Sequence, residues 1–125
     1  MRRLFAALLL LSTAPVVADR ADVPVDPELR DALRVAVEMA DSFADRFDAE
    51  VWLTDMSARL ARQVPDQEER MLILRLVHRH AAMFELPPEL VLAVIDVESN
   101  FDRYAISYAG ALGLMQVMPF WREEI

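Results

Sequence analysis

The chain has 125 residues, 55 % of them apolar and 27 % charged, with a mean hydropathy of +0.20, which suffices for one folded domain and excludes a disordered composition. Its formal charge is −8 and it has no cysteine, which excludes disulfides and argues against nucleic acid or an anionic membrane as partner. Two glycines and long proline-free runs indicate an all-α fold.

The opening segment "MRRLFAALLLLSTAPVVA" has Arg2 and Arg3, an apolar run from Leu4 to Leu11, and a small-residue end at Val16-Val17-Ala18. These are the parts of a secretory signal, so residues 1–18 read as a signal peptide cleaved after Ala18. A membrane span would need roughly 20 apolar residues, and Asp19 with Arg20 cuts this run short, so no stable span is expected after cleavage. Losing Arg2 and Arg3 leaves 11 arginines against 21 acidic residues, a formal −10. Such a surface does not attract an anionic polymer over distance; any such ligand is held by short-range contacts.

Residues 19–25 form a polar lead-in, and residues 26–84 read as N-terminal helices. Asp26-Pro27-Glu28 is a helix start, with a capping side chain, a proline suited to the first turn and an acid that complements the dipole. Leu29, Leu33, Val37, Ala40, Phe43 and Phe47 recur at three- and four-residue spacing as a buried stripe. A second helix is expected from about Ala49 to Arg62 with Val51, Trp52, Met56 and Leu60 inward; no glycine or proline separates the two, so one long helix bent near Asp48 is the alternative. Pro65 breaks the chain, and Asp66 with Glu69 gives a capping-box-like start to a third helix over Gln67–Phe84, with Met71, Leu72, Leu74, Leu76, Val77 and Met83 as its apolar surface. Pro87 and Pro88 stop it and start a fourth. That fourth helix, "ELVLAVIDVES", is apolar nearly all round and is expected to be the central buried one.

Asp96 and Glu98 interrupt its apolar pattern. Two readings fit Glu98: an ion pair with Arg103 or an arginine of the third helix, or a general acid whose apolar setting holds its proton. Ser99 and Asn100 then end the helix and Phe101 anchors the turn. Gly110 and Gly113 suit positions of unusual backbone geometry, or places where a side chain has no room beside a ligand. Ser107 and Gln116 offer the hydrogen-bonding groups that a polyhydroxylated ligand requires, and Met115 and Met118 an adaptable apolar wall. His78 and His80 lie two apart on a helix and cannot share one face, so they are read as non-ligands, and Trp52 and Trp121 as packing residues.

Taken together, Glu98-Ser99, Phe101, Ala105, Ser107, Gly110-Ala111, Gly113-Leu114-Met115-Gln116 and Met118-Pro119 match without a gap a pattern that resembles the soluble lytic transglycosylase family of peptidoglycan-cleaving enzymes. The resemblance covers about residues 86–125 and departs at Trp121, where the family commonly has threonine. It implies a lysozyme-like helical domain in the periplasm, acting on the glycan strands of peptidoglycan. The family's catalytic glutamate falls on Glu98, its sugar contacts on Ser107, Gln116 and Met118, with Ser99 beside them, and the chemistry it implies uses no cofactor or metal. "PFWREEI" reads as the start of a further helix that stops at Ile125, so residues 85–125 are expected to be an incomplete catalytic segment. A non-catalytic helical module that binds glycan or a wall protein is the alternative.

Overall fold

Asp26 accepts a hydrogen bond from the Glu28 amide at 3.1 Å, and with Pro27 in the first turn it starts the first helix where the sequence places it. The computed structural model describes residues 26–121; the signal segment, the lead-in and the last four residues lie outside them. Four helices follow one another: α1 Pro27–Glu38, α2 Arg46–Leu60, α3 Gln67–Met83 and α4 Pro88–Ser99. Helices α1, α2 and α3 pack against one another in all three pairings, whereas α4 packs against α3 alone among them. The all-α expectation holds.

The alternative of one long N-terminal helix is overturned, and by a polar residue rather than by glycine or proline. Asp45, in extended conformation at φ −152°, accepts a hydrogen bond from the Asp48 amide at 2.9 Å and so caps a new helix. Helix α2 therefore begins at Arg46, ahead of the expected Ala49, and its inward face is Ala49, Leu53, Ser57 and Leu60. Ala40 and Phe43 pack against the core from the connection between helices, not from α1. Phe47 and Val51 correct the expected stripes: both point outward, 72 % and 53 % exposed. Each lies two residues from Ala49, on the side of α2 away from its buried Ala49, Leu53, Ser57 and Leu60.

Helix α3 starts as expected, with Asp66 accepting from the Glu69 amide at 2.7 Å. Its buried face comprises Arg70, Met71, Ile73, Leu74, Val77 and Ala81, while Leu72, Leu76 and Met83 of its broad apolar surface are exposed. Leu53, Leu74 and Ile95 are the largest fully buried side chains, each contributing about 2 kcal/mol of hydrophobic stabilisation. Among them sits a guanidinium. Arg70 is 5 % exposed and donates to the Ser57 hydroxyl at 3.0 Å and to the backbone carbonyls of Val64 and Pro65. It thus clasps the α2–α3 connection, and burial pushes its pKa down against the opposing charge of Asp66.

The larger correction concerns α4. Only Leu92 and Ile95 are buried, against α3, and Leu90, Val94 and Val97 face outward, Val97 being 86 % exposed. Its apolar composition is real, but nothing among the described residues covers its second side. No described helix is long and apolar enough to cross a membrane.

Candidate active site

Helix α4 ends in a reversal built from two consecutive left-handed residues, Asn100 at φ 49° and Phe101 at φ 64°. The Asn100 amide returns to the Asp96 carbonyl at 2.9 Å, closing the helix. Phe101, an unusual residue for this conformation, is 5 % exposed and belongs to the core, so packing holds the strained backbone in place. Asp102 accepts from the Tyr104 amide at 2.8 Å, which ties its carboxylate into the turn.

The segment that follows folds back on itself. Leu112 pairs with Val117 through two backbone hydrogen bonds of 3.0 and 3.1 Å, and Ile106 bridges to Leu112. Gly110 (φ 88°) and Gly113 (φ 72°) occupy the corners. A Cβ on Gly110 would meet nothing within 4 Å, and one on Gly113 would touch the Arg103 carbonyl oxygen at an ordinary 3.6 Å. The positive φ at both corners fits the reading of unusual backbone geometry. Gln116 is also left-handed, at φ 49°.

The polar side chains chosen from the sequence largely hold this loop. Ser99 donates its hydroxyl to the Leu114 carbonyl at 2.8 Å, with the Ile95 carbonyl at 3.1 Å as a second acceptor. Ser107 accepts from the Ala111 amide at 2.9 Å, and the Ser107 amide reaches the Ala111 carbonyl at 2.9 Å. The Gln116 side-chain nitrogen donates to the Ala105 and Gly113 carbonyls at 3.2 and 2.9 Å. Spare capacity remains: the Ser107 hydroxyl hydrogen and the Gln116 Oε1 have no partner among the described residues. Met118 is half-buried at the loop's end.

Glu98 stands one residue before this anchoring serine, exposed, in the last turn of α4. No ion pair among the described residues includes it; Arg103 pairs instead with Glu69 of α3 at 3.3 Å. The ion-pair reading of Glu98 is thus not what the structure adopts. The expectation of hydrocarbon around its stem is also corrected, because Val94 and Val97 on the same helix are themselves exposed. Two hollows, of about 930 and 610 Å³, lie between α1 and α3 and beside α2; Glu98, Ser107 and Gln116 line neither.

One cluster escaped the sequence reading. His78 of α3 accepts or donates a 2.7 Å hydrogen bond with the Ser42 hydroxyl, stacks on Phe43 at 3.5 Å and 11°, and meets the Trp52 ring edge-on at 5.0 Å. Trp52 in turn donates its indole N–H to Glu89 of α4 at 2.8 Å. Burial pushes the His78 pKa down, opposed by the Glu89 charge. The Trp52 hydrogen bond pulls the Glu89 carboxyl down, aided by its own backbone hydrogen bond and by His78. Separations of 36 and 37 residues leave no local pattern by which these partners are found. Trp121, 51 % exposed beside Phe120, does not pack as expected.

Residues 75–125 match the model of the transglycosylase SLT domain. The chain is 50 % identical over 46 residues to the membrane-bound lytic murein transglycosylase C of Actinobacillus pleuropneumoniae serotype 5b, a stretch of 37 % of this chain and 13 % of that protein. It is 46 % identical over 46 residues to proteins of the same name from Haemophilus ducreyi and Histophilus somni, again 37 % of this chain and 12 % and 13 % of theirs. The matched stretch thus spans about an eighth of those relatives. No solved structure matches the chain. The reversal at Asn100, the two glycine corners and the serine clasp all lie inside the stretch that is similar to the transglycosylase SLT domain.

Proposed function

We propose that this chain contributes to a peptidoglycan lytic transglycosylase, with Glu98 as its sole acid and base. The observation that carries the reading is the placement of a carboxylate free of any described ion pair, one residue before the serine that fastens the loop, inside the SLT match. The names of the similar proteins support murein as the polymer acted on.

In this reading the protonated Glu98 carboxyl donates to the glycosidic oxygen between N-acetylmuramic acid and N-acetylglucosamine. The C1–O bond breaks and an oxocarbenium-like state develops, assisted by the substrate's acetamido group. The resulting carboxylate takes the proton from the muramyl C6 hydroxyl, whose oxygen attacks C1 and closes the 1,6-anhydro ring. One carboxyl group thus acts first as acid and then as base. Hydrolysis by water would call on a second carboxylate. Asp102 is committed to the turn at Tyr104, and Asp96, two residues earlier on the helix, projects to another side. Ser107, Gln116 and Met118 contact the sugar through the capacity they have left, and Ser99 acts beside them. Residues 1–18 direct export to the periplasm, where this substrate lies.

Mass spectrometry of digested sacculi tests the reading: anhydromuropeptides are expected, and they disappear in Glu98→Gln while stability stays within about 0.5 kcal/mol, as for an exposed unpaired side chain. Release that persists in that variant overturns the site assignment. The exposed Glu98, outside both hollows, favours a second reading, a module that binds glycan without cleaving it. Saturable glycan binding with no released product would establish that one.

A further inference from the structure

The hollow of about 610 Å³ beside α2 is bounded by the α1–α2 connection, α3 and the start of α4, and it is built rather than incidental. The stack of Phe43 on His78 and the edge contact of Trp52 fix the rings from three elements, with centroids of Phe43 and Trp52 5.7 Å apart. Glu89 is held against them through Oε1 by the Trp52 N–H, leaving Oε2 without a partner among the described residues. Asp48 lines the same hollow and enters no described ion pair, while Asp55 is paired outward with Arg59 at 3.0 Å. No arginine lines it. At the mouth, Phe47 and Val51 expose apolar surface that the core does not use.

These features select a ligand by chemistry. Carboxylates only accept hydrogen bonds, so their complement is a group that only donates. Aromatic faces add attraction for a cation, and the apolar mouth suits a hydrocarbon stem. The acidic chain steers such a group inward and repels an anion. We propose that this hollow binds a primary ammonium on an aliphatic stem of about lysine length, without a carboxylate beside the amine. It lies at the end of α4 opposite the candidate active site, Glu89 and Glu98 being about 13 Å apart along the helix axis. The inference stands apart from the transglycosylase reading and needs no catalysis.

The test is a titration of the full chain carrying Trp121→Phe with Nα-acetyl-lysine methylamide, following the Trp52 indole N–H signal by nuclear magnetic resonance. A saturable shift is expected. The norleucine analogue, which keeps the stem and lacks the ammonium, gives none. Glu89→Gln keeps an acceptor for Trp52 and removes only the charge, and it weakens binding on the order of tenfold. Asp48→Asn, at an exposed position, weakens it in the same direction. 2,6-Diaminoheptanedioic acid, a diamino acid whose distal amine has a carboxylate beside it, binds more weakly than the lysine mimic, and Glu98→Gln leaves affinity unchanged. Absence of saturation, equal binding of the norleucine analogue, or unchanged affinity in both acid variants would overturn the proposal. Tighter binding of the diamino acid would overturn its lysine-like chemistry.

Discussion

Ser99 and Leu114 are joined by a 2.8 Å hydrogen bond from the serine hydroxyl to the leucine carbonyl, and this bond fastens the end of α4 to the loop that doubles back after it. The side chain beside Glu98 is therefore a structural fixture of the region. Ser99→Ala leaves a partly buried carbonyl without its donor and is expected to cost about 1 kcal/mol. Urea titration measures that loss. Hydrogen exchange adds the location, with the Leu112 and Val117 amides, which pair across the loop, exchanging faster than those of α2.

The glycine corners make a sharper prediction, because space and backbone conformation can be separated there. Gly110→Ala introduces no collision, yet it places a Cβ on a residue at φ 88°. The expected cost is about 1–2 kcal/mol, all of it conformational. Gly110→Asn, a residue that tolerates positive φ better, is expected to cost less. Equal losses for the two variants, read from denaturant midpoints, would show that the corner is limited by something other than backbone geometry.

Arg70 carries a third prediction. Replacing it with methionine keeps much of the packing but strips donors from the Ser57 hydroxyl and from two carbonyls in the α2–α3 connection. A loss of about 3 kcal/mol is expected in equilibrium unfolding. Lysine, which lacks the planar fork, recovers only part of it. Full recovery by lysine would mean that the positive charge, not the fork, is what the connection requires.

Acidification should weaken the fold in two stages. The His78 pKa is lowered from its ordinary 6.5, chiefly by burial, so the unfolded chain takes up a proton more readily than the folded one. Stability from the neutral imidazole is complete above about 6.5 and declines as pH falls below it. Glu89 is lowered from 4.5, chiefly by the Trp52 hydrogen bond, so its contribution is complete above that pH and is lost as pH falls towards the folded-state value. Thermal melts across this range check both stages. His78→Gln should flatten the upper stage and leave the lower one, whereas Glu89→Gln should flatten the lower.

Much of this architecture was legible where one residue dictates a boundary. Pro65 and Asp66 set the start of α3, and Pro88 that of α4, because ring closure and a short acidic side chain act locally. Asp45 divides α1 from α2 by the same kind of local chemistry, but an aspartate among many polar neighbours is a weak signal beside the apolar spacing that continues through Phe47. The misjudged burial of α4 has a different origin. Composition records which surfaces a helix is fit to bury, and Val94 and Val97 are fit for it; which surfaces meet a neighbour depends on what else the described fold contains. The motif from Glu98 to Pro119 was legible because its glycines and serines act within a few residues of themselves. The Ser42–His78 and Trp52–Glu89 links were not, since each is decided by how separate helices dock.

Helix α4 is gripped by α3 on one side and bare on the other. Whatever settles on the bare side does so only while the helix is intact, and mass action then converts occupancy into resistance to unfolding. A companion that settled there would make the melting temperature a function of its concentration, so that the robustness of this helix would depend on its surroundings as well as on the core.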